Sequence, residues 1–344
     1  VKIVAVKQRK EWDSFLSSSR FNYFLQTWDW GDFQEKGLGK KVWRLGFYED
    51  DRLVGVSLCI EEPSRFGRFI YCPRGPILEW KDVSLRSAVV SALVDFFRGA
   101  GHVFLRIDPA VKDNEGPVGR ELLRYGFQDA VTFVQVERAW MLDIKDKSDD
   151  ELLAGMRKNS RYYVRKAQKS DVKVRVSDSP NDLKIFTRMI AKLADRKSFA
   201  ALPAKYFEEQ FKYLSRKGIL KVFVAEHKKI PVASALIAFY GDEGSYLHAA
   251  SDPSFSRLQA SYLLQWEAIE YARSLGLDKY NFWGVVEDKN YHPGYPGFGY
   301  SNFKKGFGGY LEVYMRTKDY PFSPIRYNLV RIWEKLRRMR YKGN

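Results

Sequence analysis

The chain runs through one order of parts twice, and that repetition limits its possible folds more than any single motif does. Residues 42–61 read as a strand, a tight turn at Glu49-Asp50-Asp51-Arg52 and a second strand; residues 220–240 read the same way about Lys228-Lys229-Ile230-Pro231. A further strand follows each hairpin, at 69–72 and at 244–249. A helix comes next. In the first copy its apolar face is Leu85, Ala88, Val89, Ala92, Leu93, Phe96 and Phe97; in the second it is Tyr262, Leu263, Trp266, Ile269, Ala272 and Leu275. Glycines end both helices, Gly99 and Gly101 in one and Gly276 in the other. Another strand follows, 102–107 ahead of Asp108-Pro109 and 279–283 ahead of Gly284. Both copies close on a basic-aromatic-glycine segment, at 123–127 and 303–307.

Hairpin, strand, helix, strand is the order of the acetyltransferase (GNAT) core. The expected fold is therefore α/β, two tandem GNAT-like domains around a shared cleft, and 344 residues suit two domains. The expected boundaries are 1–147 for the first domain, 148–170 for a basic linking helix, 171–322 for the second domain and 323–344 for a C-terminal helix. Ser148-Asp149-Asp150-Glu151 has capping-box form and is expected to open one helix running to about Gln168. Leu152, Leu153, Met156, Ser160, Tyr163 and Ala167 form its packing face; Arg157, Lys158, Arg161, Arg165, Lys166 and Lys169 form a basic one. That basic face reads either as solvated or as a phosphate-binding surface.

Fifty-eight Lys and Arg against 42 Asp and Glu leave a net charge of +16. Such a charge attracts nucleic acid, anionic lipid or phosphorylated substrates, and also serves solubility. Cys59 and Cys72 are too few for a secreted disulfide framework; two reduced, buried thiols are expected, with a single bridge between them as the alternative. No apolar run reaches the roughly 20 residues that span a bilayer. The first residues are charged too early for a signal peptide's apolar stretch. Together these read as a cytoplasmic chain. Walker loops, Gly-x-Ser-x-Gly elbows and Cys-x-x-Cys pairs are missing, and the four histidines have no metal-ligand spacing, so no metal is expected. The turns opening the two central helices lack the paired glycines that seat coenzyme A, so no cofactor is expected either.

The stretches Gln26-Thr27-Trp28-Asp29-Trp30-Gly31, Tyr71-Cys72-Pro73-Arg74-Gly75-Pro76 and residues 157–167 resemble the Fem family of peptidyltransferases. Residues 260–268 and Asn302-Phe303-Lys304-Lys305-Gly306-Phe307-Gly308-Gly309 do so too. The resemblance covers nearly the whole chain, and between Arg196 and Leu220 there is no room for the long helical arm of some members. It implies an enzyme that takes an amino acid from aminoacyl-tRNA and adds it to the peptide stem of a peptidoglycan precursor, lipid-linked or UDP-linked, building interpeptide bridges. An aminoacyl ester is already activated, so its aminolysis needs placement, proton removal and oxyanion stabilisation, without a covalent nucleophile or a metal.

The resemblance also implies site residues. Lys304 matches the basic residue of the family's Phe-Lys-x-x-Phe-Gly motif and is expected to stabilise charge at the ester carbonyl, with Phe303 packed beside it. Asp108 matches an acidic position and is expected to take a proton from the attacking amine. Lys36 and Arg196 match basic positions that bind precursor phosphates, and Arg74 and Tyr246 are further substrate-binding candidates. The tRNA is expected over Arg157, Lys158, Arg161, Arg165 and Lys166.

In the last stretch Leu329, Ile332, Trp333, Leu336 and Met339 share a helical face among Arg326, Arg331, Lys335, Arg337, Arg338 and Arg340. That pattern suits either a helix packed on the body or peripheral contact with the inner face of the plasma membrane. The rival functions are a coenzyme-A-dependent N-acyltransferase and a non-catalytic basic protein binding RNA or membrane.

Overall fold

The structure is a computed structural model and describes residues 1–114, 117–197 and 200–342. The chain divides into two compact units, Val1–Glu137 with Val313–Asn344, and Arg138–Glu312.

The first unit is built on a sheet in the order Lys2–Ala5, Val42–Glu49, Arg52–Ser64, Gly67–Cys72, Phe104–Ile107, Lys318–Pro321, Gln128–Asp129. The first hairpin turns in two residues with Asp50 at φ 50°, a conformation that short polar side chains tolerate. The helix Val83–Phe97 is capped by Asp82 and buries Leu85, Val89, Val90, Leu93, Val94 and Phe97. Its buried face is rotated from the expected one, with Val90 and Val94 inside and Phe96 exposed.

The second unit's sheet runs Tyr310–Val313, Arg138–Asp143, Lys279–Gly284, Glu243–Ser251, Ile230–Tyr240, Leu220–His227, Val172–Ser177. The helix Ala260–Ser274 packs into its core with Phe282 and Phe307. Each sheet contains a parallel pairing, Gly67–Cys72 with Phe104–Ile107 and Glu243–Ser251 with Lys279–Gly284. Between Arg196 and Leu220 the described residues form one helix, Ala204–Leu214, and a short turn of 3-10 helix, Ser215–Lys217.

Two expectations are corrected. The strand Arg138–Asp143 bonds into the second sheet and Lys318–Pro321 into the first, so the boundaries at 147 and 322 give way to 137 and 312. The linking helix is two helices, Asp149–Gly155 and Lys158–Lys169, because Met156 and Arg157 are extended, with ψ 151° and 145°. At the break the Arg157 N–H bonds to the Gly306 carbonyl at 2.9 Å. Nearby, Gly309 stands at φ 92° with the Met141 carbonyl where a Cβ would lie, so only glycine fits there.

Candidate active site

In the first unit the chain leaves its parallel strands as Pro73-Arg74 and Asp108-Pro109. Ligands of open α/β sheets gather at this carboxyl edge. Asp108 is 1% exposed. Its carboxylate accepts from the Tyr71 hydroxyl at 2.7 Å, the Arg74 N–H at 2.7 Å and the Gln135 N–H at 3.4 Å. Burial pushes its pKa above the ordinary carboxylate range, against the pull of Arg74 and of these donors. Arg74 is buried too. Its guanidinium donates to the Val136 carbonyl at 2.6 Å and lies 4.6 Å from the centre of the Tyr314 ring. Gln26 joins the first two motifs from within the core, accepting from the Leu58 N–H at 2.7 Å and donating to the Pro73 carbonyl at 2.6 Å. Lys36 is exposed and paired with Asp32 at 3.1 Å.

In the second unit the parallel pairing stops at Ser245 and Asn281, although both strands run on. Past that point, among the described residues, Glu243–Ser251 pairs only with Ile230–Tyr240, through an irregularity at Tyr246 and His248. Lys279–Gly284 bonds to Arg138–Asp143. A sheet that opens in this way leaves backbone donors and acceptors for an extended acyl or peptide chain. The helix Phe298–Lys305 carries Lys304 to this end of the strand, where Nζ donates to the Gly284 carbonyl at 2.7 Å. The Lys304 side chain is buried, its ammonium 5.1 Å from the centre of the Tyr300 ring. Burial brings its pKa down to about 7, so ammonium and amine coexist at neutral pH. Phe303 packs against Tyr262 and Phe307, centroids 4.8 and 5.2 Å apart, and so fixes the Lys304 helix. Tyr246 is half-buried and its hydroxyl pKa is raised by desolvation. His248 stands edge-on to Phe207 at 5.2 Å, with its pKa lowered by burial to about 4.

The basic helix Lys158–Lys169 keeps Lys158 and Arg165 in solvent, with Arg161 and Lys166 partly covered. Arg161 donates to the Leu153 carbonyl at 3.0 Å. Arg157 precedes the helix and donates to Asn302 at 2.7 Å, which ties it to the Lys304 helix. Tyr162 is 59% exposed amid these cations. Arg196 opens onto a cavity of about 400 Å³ beside the helix Pro180–Lys197, which it lines with Arg188 and Lys192. Arg188, Lys192 and Arg196 recur at four-residue spacing and so share one face of the helix, a pattern visible in the sequence. Among the described residues no group of three or more His, Cys, Asp or Glu is placed to hold a metal ion.

A family model described as the FemAB family matches residues 8–226 and 214–335. The chain belongs to the FemAB family. This FemAB member is 22% identical to the lipid II:glycine glycyltransferase of Staphylococcus epidermidis over 388 residues, covering 92% of each chain. Its fold matches the crystal structure of FemX with a TM-score of 0.85 at 21% identity, over 96% of this chain and 100% of that one. It also matches a tandem GNAT protein from the clavulanic acid biosynthesis pathway, with a TM-score of 0.58 at 10% identity, over 94% and 99% of the two chains. The paired GNAT-like folds expected from the repeat are those of this FemAB member.

Proposed function

We propose that this chain moves an aminoacyl group from aminoacyl-tRNA to the peptide stem of a peptidoglycan precursor, forming interpeptide bridges. Family membership and a relative named for glycyl transfer to lipid II support the enzyme class and the acceptor. The observation that carries the chemistry is the buried Lys304 ammonium on the Gly284 carbonyl, at the point where the second sheet opens.

In this reading the acceptor amine attacks the ester carbonyl and charge develops on its oxygen. Lys304, desolvated and held by Gly284, turns its ammonium to that oxygen. The C–N bond forms, the C–O bond to the tRNA ribose breaks, and the amine's proton passes to the departing ribose oxygen. Phe303 acts by seating the Lys304 helix. Three donors to the Asp108 carboxylate favour its acting through Tyr71 and Arg74, as a positioning residue, over its expected role as proton acceptor. Lys36, Arg196 with Arg188 and Lys192, and Tyr246 are the acceptor-binding candidates. The acceptor end of the tRNA lies on Lys158, Arg161, Arg165 and Lys166, beside the Arg157 that braces the Lys304 helix. No helix among the described residues is long and apolar enough to cross a membrane. The reading puts the enzyme in the cytoplasm, in peripheral contact with the inner face of the plasma membrane.

The test is transfer of radiolabelled amino acid from a panel of charged tRNAs to lipid-linked and UDP-linked muramyl pentapeptide. Transfer by the wild-type chain and its loss in Lys304→Ala support the reading. No transfer with any donor or acceptor overturns it.

A further inference from the structure

The C-terminal helix Pro324–Lys342 is mounted with its apolar stripe outward. Ile325, Leu329, Ile332, Leu336 and Met339 fall at alternating four- and three-residue spacing, one line along the helix, and are 43 to 79% exposed. The inner face holds Tyr327 and Val330, packed on Val103 and Phe104, together with polar groups. The Tyr327 hydroxyl donates to Asp319 at 3.0 Å, Arg331 to Gln128 at 2.9 Å, and Glu334 accepts from Arg106 at 3.4 Å. A helix held only by packing would show the opposite arrangement.

Charge follows the same division. Glu334 is the one acidic residue in the sequence of this helix, and it is turned inward. Arg326, Lys335 and Arg337 flank the stripe and Arg338 is exposed further round the helix; the Arg337 guanidinium lies 5.4 Å from the centre of the half-buried Trp333 ring. The side chain of Arg340 lies outside the described ones. Arg338 also donates to the Val131 carbonyl at 3.3 Å, and two residues on Phe133 and Val134 are exposed as well.

We propose that this stripe is a docking surface for an anionic lipid bilayer, a partner that extends the transferase reading and rests on it. The apolar side chains enter the boundary between headgroups and acyl chains, and the flanking cations meet lipid phosphates. A second copy of the chain would set the same cations against one another, which disfavours self-association as the cover.

The test is co-sedimentation of the full chain with vesicles of phosphatidylglycerol and phosphatidylcholine, or of phosphatidylcholine alone. The expected result is binding at least about tenfold tighter to the anionic vesicles and weakened by salt. Ile332→Glu with Leu336→Glu should reduce it by about tenfold or more, with the circular dichroism melt unchanged. Ile332→Ser with Leu336→Ser, a gentler change, should give an intermediate loss. The Glu variant should still transfer to a UDP-linked acceptor, while transfer to a lipid-linked acceptor in vesicles falls. Equal binding to both vesicles, no binding, or a dimer abolished by the same substitutions would each overturn the proposal. Because vesicle binding needs no turnover, its failure is separable from a failure of the transferase reading.

Discussion

Lys304 Nζ donates to the Gly284 carbonyl at 2.7 Å, joining the helix Phe298–Lys305 to the end of the strand Lys279–Gly284 through a buried amine. Burial brings the proton on that amine into the neutral range, which sets the pH behaviour of the site.

Lys304→Ala should lower kcat by about 10²- to 10³-fold with little change in KM, as for loss of an oxyanion donor. With the ammonium as the working form, wild-type kcat should fall as pH rises through about 7, and Lys304→Arg should lose that fall because its guanidinium stays charged. Single-turnover rates between pH 5.5 and 9 check this. Stability supplies a second readout. Between pH 7 and 10.5 the unfolded chain holds a proton that folded Lys304 has released, so this group's contribution to stability rises with pH there. The gain in Tm of Lys304→Met should therefore be largest at or below pH 7 and shrink toward 10.5.

Asp108→Asn keeps acceptor capacity for Tyr71 or the Arg74 N–H and should stay within about tenfold of wild-type kcat. Asp108→Ala leaves buried donors unmet and should cost about 1–3 kcal/mol in urea unfolding. A 100-fold loss of kcat in a stably folded Asn variant would instead restore the proton-acceptor role.

Lys158, Arg165 and Lys169 replaced together by alanine should raise KM for aminoacyl-tRNA and lower the salt slope of binding by about 2, the value for roughly three single-strand phosphates. Tyr162→Ala should cost about 1–3 kcal/mol in tRNA affinity if a base stacks on the exposed ring. Filter binding across a salt series separates the charge effect from the stacking effect, and an unchanged slope in the triple variant would remove the helix from the interface.

Arg106 and Asp319 form a two-bonded ion pair at 2.7 and 2.8 Å, with both side chains 3% exposed or less. Asp319→Ala leaves the buried Arg106 cation with only the longer Glu334 contact at 3.4 Å and removes the acceptor of the Tyr327 hydroxyl, and should cost about 3–5 kcal/mol. Arg106→Met with Asp319→Leu should cost much less than the two single changes summed, which a double-mutant cycle by denaturant unfolding measures.

Both hairpins could be read from turn residues between β-rich runs, and the capping box at Ser148 and Glu151 formed as its spacing implies. The presence of both central helices could be read from apolar periodicity, although the buried face of Val83–Phe97 is rotated from the one read. These features depend on a few neighbouring residues and were legible locally, whereas Lys304 was singled out only through the family resemblance. Tertiary structure alone decided that Arg138–Asp143 joins the second sheet and Lys318–Pro321 the first, because strand pairing is chosen by distant partners. It also broke the linking helix at Met156 and Arg157, where the Arg157 N–H bonds to the distant Gly306 carbonyl in place of a helical acceptor. The facing of the C-terminal helix was set by polar bonds to Asp319, Gln128 and Arg106, outside any local pattern. The lowered pKa of Lys304 and the burial of Asp108 and Arg74 belong to the same class. Desolvation depends on what the rest of the chain lays over a group, and no neighbour in sequence carries that information.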